Sequence, residues 1–243
     1  FAIIAEPTFM DICISNVSSK VVNIKISGDT GLKYLGSGIE STNSILLAKR
    51  LIDVLEDYEN YLNSLKDNFG IFNKLNKPIR FLFSDIKAGE IGLDKIVTTP
   101  LECLLRVYLM NYPEIDSEEF DNMMFSFMKR YPDVYKYIEN GSITFNDEYR
   151  FIEGGIFDLD LERNKEFISK IIKNGKDLAG QKLKTSSMLG GTDFFAFSNY
   201  GNTPVIVLGP GGGNCHAANE YVNQDDLLQL SKIYSGLIYD FCC

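Results

Sequence analysis

Between positions 19 and 153 the spacing of apolar residues switches between the period of a strand and the period of a helix, and the order of those switches admits few folds. From Val21 to Ser27 apolar and polar residues alternate, Val22, Ile24 and Ile26 against Asn23, Lys25 and Ser27, the pattern of a half-buried strand. A loop containing Gly and Ser follows to Ser41. Ile45, Ala48, Ile52, Leu55, Tyr58, Leu62 and Leu65 then recur at helical spacing until Gly70. Period two returns in Ile79–Ser84 and in Cys103–Leu109, with Gly89, Gly92 and Pro100 punctuating the connection. Asp116 followed by Glu119 predicts a capped helix that carries Phe120, Met123, Phe127 and Tyr131 and is closed by Pro132. A last strand pattern spans Ile143–Ile152. Strand, helix, strand, strand, helix, strand is the order of a split βαβ, or ferredoxin-like, unit.

The flanking residues read as an α/β domain. Phe1-Ala-Ile-Ile-Ala5 has the character of a strand buried on both faces and stops at Glu6-Pro7, which puts Glu6 at a strand's carboxyl end. Gly154-Gly155 reads as an exit hinge. After it come a helix near Lys165–Lys173, a strand Pro204–Leu208 and a helix Asp225–Phe241. In that last helix Asn223 and Asp226 stand at N-cap and N3, and Leu227, Leu230, Tyr234, Leu237 and Phe241 share a face. The expected fold is therefore α/β: residues 1–18 and 154–243 form one domain, into which a ferredoxin-like (βαββαβ) domain of residues 19–153 is inserted.

Composition narrows the function classes. The formal charge of -9 is spread along the chain, which argues against nucleic acid or an anionic membrane as partner and fits a small-molecule substrate. No apolar run approaches the ~20 residues of a membrane helix. Five cysteines, an odd number with Cys242 and Cys243 adjacent and no Cys-x-x-Cys, do not make a disulfide framework, and a reducing cytoplasm is expected. The chain opens directly in an apolar stretch with neither Met nor a basic leader, so an upstream segment is expected to be missing.

The sole histidine, His216, stands in Gly209-Pro-Gly-Gly-Gly-Asn-Cys-His216-Ala-Ala-Asn-Glu220, directly after the buried run Val205-Ile-Val-Leu208. Open α/β sheets place ligands at the carboxyl ends of their strands, and both Glu6 and His216 fall there. A carboxylate and an imidazole can share zinc, yet two donors do not complete a site. The glycine run could alternatively cradle a phosphate, but no Lys-Ser or Lys-Thr follows it; the plainer alternative is a turn in which the backbone approaches something closely. A nucleophilic Cys215 is set aside because catalytic pairs are neighbours in space and not normally in sequence.

Ala5-Glu6-Pro7-Thr8, Gly190-Gly191-Thr192-Asp193, Gly201-Asn-Thr-Pro204, Gly209-Pro-Gly211 and His216 through Val222 occur in the order found in zinc-dependent amidohydrolases of the acetylornithine deacetylase and succinyl-diaminopimelate desuccinylase type. The chain resembles the C-terminal portion of that family. The resemblance implies hydrolysis of an N-acyl amino acid or small peptide at a two-zinc centre, with cobalt or manganese as alternative metals. It implies Glu6 as ligand of one metal and His216 as ligand of the other. It makes Glu220 a candidate to orient His216 through its second ring nitrogen, against the plain reading of a solvated carboxylate.

Gly191 and Asp193 fall in the family's substrate-cleft loop, against the plain reading of Asp193 as a turn cap. The loop Gly36–Asn43 resembles the family's lid and makes Asn43 a candidate substrate contact, as is Tyr34 against the plain reading of a loop aromatic. The resemblance also implies a homodimer formed through the lid. The family's His-x-Asp motif, bridging Asp and Glu-Glu pair, including the general base, precede the Glu-Pro-Thr motif. The chain alone is therefore expected to be inactive. Two departures bear on substrate: Tyr34 stands near the family's lid histidine, and Phe194-Phe195 replaces an arginine suited to a carboxylate. A non-catalytic binding or dimerisation module is the rival expectation.

Overall fold

Val205-Ile-Val-Leu208 is fully buried, and a mixed sheet is built around it. The computed structural model describes residues 1–29, 42–72, 75–89, 99–148 and 151–243. The strands are β1 (Ala2–Ile4), β2 (Ile12–Asn16), β3 (Ser18–Ser27), β4 (Leu82–Ala88), β5 (Glu102–Asn111), β6 (Ile143–Asp147), β7 (Gly155–Ile156), β8 (Thr185–Met188), β9 (Val205–Val207), β10 (Gly212–Gly213) and β11 (Tyr221–Val222). The α-helices are α1 (Ser44–Ser64), α2 (Ser117–Met128), α3 (Pro132–Glu139), α4 (Glu162–Ala179) and α5 (Gln224–Cys242). The fold is mixed α/β. The chain divides into two compact units: residues 1–18, 112–114 and 152–243, and residues 19–111 and 115–151.

In the second unit the sheet order is β4-β5-β3-β6, antiparallel across β4–β5 and β3–β6. Alternation along β3 and β5 buries Val22, Ile24, Ile26, Cys103, Leu105, Val107 and Leu109 on one face. Against them stand Leu51, Val54, Leu55, Tyr58 and Leu62 of α1, all fully buried, each worth roughly 1.5–3 kcal/mol of transfer free energy. Asn43 caps α1, its Oδ1 accepting from the amides of Ile45 and Leu46 at 2.9 and 3.3 Å. Asp116 caps α2 through the amide of Glu119 at 2.8 Å. Lys20, 3% exposed, is neutralised by Asp121 and by Asp147 at 3.3 Å.

Pro132 does not simply close a helix: it occupies the first turn of α3, where its missing N–H removes nothing the helix needs. The strand expected at Ile79–Ser84 starts three residues later because Ile79 and the Phe81 amide are held by Asn63 and Glu59 of α1. The last strand of this unit ends at Asp147, short of Ile152.

The first unit carries a five-stranded sheet of order β1-β9-β2-β7, with β8 also on β2. β1 runs parallel to β9, with Ala2, Ile3 and Ile4 opposite Val205, Ile206 and Val207. It is an edge strand and only half-buried, not buried on both faces as its apolar run suggested. The strands buried on both faces are β9 and β2, the latter Ile-Cys-Ile-Ser-Asn. The expected hinge at Gly154-Gly155 is a packed crossing: a Cβ on Gly154 would lie 2.5 Å from both the Asn16 carbonyl oxygen and the Pro113 Cα, and Gly155 pairs with β2. The helix expected at Lys165–Lys173 runs on as α4 and packs against α5. On α5 the buried side chains are Leu230, Ile233 and Leu237; Leu227 and Phe241 are exposed, so the buried face is narrower than the apolar stripe. No described helix is long and apolar enough to cross a membrane.

Candidate functional site

The chain leaves β1 at Ala5-Glu6 and leaves β9 at Leu208-Gly209, two parallel strands ending side by side. Gly209 is required here, since a Cβ would stand 2.1 Å from the Glu6 carbonyl oxygen. Thr8 locks the same crossing: its hydroxyl donates to the Gly209 carbonyl at 3.2 Å and accepts from the Gly209 amide at 2.9 Å. Both bonds are buried. Beneath them the Tyr234 hydroxyl of α5 donates to the Leu208 carbonyl, and burial pushes that phenol up to about 12.

Beyond Gly209 the glycine run forms β10, which pairs antiparallel with β11, Gly212 opposite Val222 and Gly213 opposite Tyr221. The intervening turn holds three non-glycine residues in the left-handed region, Asn214 (φ 56°), His216 (φ 61°) and Asn219 (φ 61°). The Ala217 amide donates to the Asn214 carbonyl at 2.9 Å, and Asn214 Nδ2 to the Asn219 carbonyl at 3.2 Å. Left-handed backbone costs an L-residue roughly 1–2 kcal/mol, and such strain collects at functional positions. Asp226 does not close a capping box on its own helix. Its Oδ2 accepts from the Gly211 amide at 2.7 Å, while the Asn223 amide donates to the Gly211 carbonyl at 2.8 Å, so the helix start is given over to holding the turn.

A recess of about 300 Å³ opens on this edge, bordered by Pro7, Pro210, Cys215, Glu220 and Tyr221 among others. Glu6 and His216 are both exposed and neither borders this recess, whereas their chain neighbours Pro7 and Cys215 do. Glu220 borders it directly. Gly191 and Asp193 do not border it; the Asp193 carbonyl accepts the Ala196 amide at 2.9 Å and so begins a helical turn. Between them Thr192 is buried, donating to Asn16 Oδ1 at 2.8 Å and accepting the Phe194 amide at 3.2 Å. Phe194, where an arginine was looked for, is a core residue 1% exposed. Asn43 belongs to the other compact unit, where its side-chain oxygen serves as a helix cap. Tyr34 lies outside the described residues.

Thr8, Asp226 and Tyr234 were not singled out from the sequence as parts of this edge. Their signal is a hydrogen bond to a main-chain atom some 200 residues away, or 15 and 26 in the latter two cases, which no local pattern carries.

Glu6 and His216 offer the donor types zinc accepts, but among the described residues no group of three or more His, Cys, Asp or Glu side chains is placed to hold a metal. A catalytic zinc takes three protein ligands, so this donor set does not fit a complete site by itself.

Residues 2–240 match peptidase family M20/M25/M40, and the chain belongs to that family. Among curated protein sequences none matches. Solved structures share the fold. A tripeptidase from Staphylococcus aureus superposes with a TM-score of 0.63 at 15% identity, over 96% of this chain and 54% of that one. Aminopeptidase PepT from Bacillus cereus gives 0.63 at 13%, over 99% and 56%. The di-peptidase Dug1p from Saccharomyces cerevisiae gives 0.63 at 11%, over 98% and 57%. The chain spans about half the length of these structures.

Proposed function

We propose that this chain is part of a metal-dependent hydrolase acting on the amide bond of a small peptide or an N-acyl amino acid, and that Glu6 and His216 are its donors to a zinc centre. The observation that supports this reading is a recess at the carboxyl edge of β1 and β9 bordered by Pro7 and Cys215, the chain neighbours of Glu6 and His216, and by Glu220, a carboxylate that could orient the imidazole. Membership of a peptidase family supports hydrolysis, and the names of similar structures, a tripeptidase, an aminopeptidase and a di-peptidase, support a small peptide substrate. The acetylornithine deacetylase-like motifs support an N-acylated amino acid. The remaining ligands and the general base come from outside the described residues. Bound zinc would polarise the scissile carbonyl and lower the pKa of water; this chain's contribution is to hold two donors on a rigid edge.

Two copies are proposed to pair through residues 19–153. β4 is an edge strand with Leu82 and Ile86 more than half exposed, a surface that pairing would cover. Sedimentation of the full-length gene product tests this, with a clean monomer at high concentration counting against it.

The test of activity is hydrolysis of dipeptides and of N-acetylornithine by the full-length gene product, with and without chelator. Chelator-sensitive turnover that falls at least ~100-fold in Glu6→Gln or His216→Asn, the few kcal/mol a metal's charge contributes, supports the reading. A folded protein that hydrolyses neither substrate class in the presence of zinc, cobalt or manganese would assign the fold to binding or assembly.

A further inference from the structure

The first compact unit holds a second recess, of about 180 Å³, bordered by Phe157, Asp158, Arg163, Asn164, Phe194 and Pro204 among others. It shares no residue with the recess beside Cys215. Asn164 is 2% exposed; its Nδ2 donates to the Asp158 carbonyl at 2.6 Å, and its Oδ1 is buried with no hydrogen-bond partner. Buried side-chain oxygens are nearly always satisfied, so an orphan on the wall of a recess marks a place for a donor. Arg163, the preceding residue, is exposed and makes no ion pair among the described residues. The 18-residue helix α4 starts here with Leu161 at its N-cap and no side-chain cap; the Asn164 amide donates to the Leu161 carbonyl at 2.9 Å, which leaves the Glu162 and Arg163 amides and the positive end of the helix dipole open to an anion. Glu162, the acid in that turn, is turned to solvent and lies 3.6 Å from Lys165.

We infer that this recess binds a free α-amino acid with a small apolar side chain. The carboxylate meets Arg163 and the α4 amides. The ammonium donates to Asn164 Oδ1, with the Asp158 carboxylate in the same wall supplying the opposite charge. The side chain lies against Phe157, Phe194 and Pro204. A simple anion leaves the Asn164 oxygen orphaned, and a simple amine leaves Arg163 unpaired; a zwitterion answers both. The volume corresponds to the share of roughly six waters, which suits a molecule of about six non-hydrogen atoms, the size of alanine. The inference does not depend on the hydrolytic reading, and binding can be found or lost without any turnover.

Calorimetric titration of the 243-residue chain with L-alanine tests it, with acetate and ethylamine as the two halves of the ligand. The expected result is saturable one-to-one binding of L-alanine, at least ~10-fold tighter than either half, a difference of about 1.4 kcal/mol. Arg163→Gln changes an exposed residue without a partner, so it should leave the thermal midpoint in place while weakening L-alanine at least ~10-fold. Asn164→Leu should abolish binding; if that variant fails to fold, Arg163→Gln decides alone. No saturable binding of L-alanine, acetate binding as tightly as alanine, or alanine affinity unchanged in Arg163→Gln would each overturn the proposal.

Discussion

The carboxylate of Asp226 accepts the main-chain N–H of Gly211 at 2.7 Å, and this bond ties the first turn of α5 to the glycine-rich turn that carries His216. The bond is partly buried and charge-assisted, so Asp226→Ala should lower stability by about 1–3 kcal/mol, whereas Asp226→Asn, which keeps an acceptor, should lose less. Urea denaturation monitored by circular dichroism measures both. Equal losses in the two variants would mean that the hydrogen bond is not what Asp226 contributes.

Thr8 makes two buried bonds to Gly209, as donor and as acceptor. Thr8→Val keeps the shape and removes both bonds, orphaning the Gly209 amide while its carbonyl still accepts the Met10 amide at 3.0 Å, at a cost of about 1–3 kcal/mol. Thr8→Ser retains the hydroxyl and should recover most of that. The comparison of the two midpoints separates the hydroxyl from the lost methyl.

Two glycines should respond differently to alanine. At Gly209 the new Cβ meets the Glu6 carbonyl oxygen at 2.1 Å, backbone against backbone, and the variant should lose about 3 kcal/mol or more or fail to fold. At Gly180 the Cβ meets open space and only the left-handed φ of 65° is strained, so the loss should be about 1 kcal/mol. Thermal midpoints that rank the other way would contradict the crossing of β1 and β9.

Alkaline pH should destabilise the protein through Cys13. Burial, with Asp11 adding to it, pushes the Cys13 thiol from 9.0 to about 12. The folded state therefore holds this proton more tightly than the unfolded state. The stabilising effect is complete below pH 9, where both states are protonated, and is lost progressively as pH rises from 9 towards 12. Tyr234 behaves likewise from 10 upward. Unfolding free energy measured from pH 7 to 11 should fall at the alkaline end, less steeply in Cys13→Ala. In the native state a thiol reagent should label Cys215, Cys242 and Cys243, which are exposed, well before the buried Cys13 and Cys103, as peptide mass spectrometry would show.

The elements legible in the sequence are those whose signal is local. The stripe of α1 and the Asp116–Glu119 cap of α2 are set by residues three or four apart, and the alternation of β3 and β5 by residues two apart. β2 was invisible for a physical reason: buried on both faces within a mixed sheet, Ile-Cys-Ile-Ser-Asn has no solvent face to impose a pattern, and its polar Ser15 and Asn16 are satisfied by Ser187 and Thr192, some 170 residues away. The short apolar run 1–5 suggested burial that only a second flanking strand could give. Of the candidate site, the two strand ends were legible, and strand ends and sequence motifs are what single out Glu6 and His216 as proposed donors. The frame that holds their edge, Thr8 on Gly209 and Asp226 on Gly211, exists only once distant segments meet. Asn164 shows the same limit, since on paper it is one more polar residue in the first turn of a helix.

The central claim is tested most directly by counting metal. Zinc content of the full-length gene product, measured beside its Glu6→Ala and His216→Ala variants after dialysis, should give about two zinc per chain in the parent, as in two-metal hydrolytic sites, and a loss in each variant with the fold intact. A folded parent that binds no zinc, or variants that bind as much as the parent, would contradict the assignment of Glu6 and His216 as ligands.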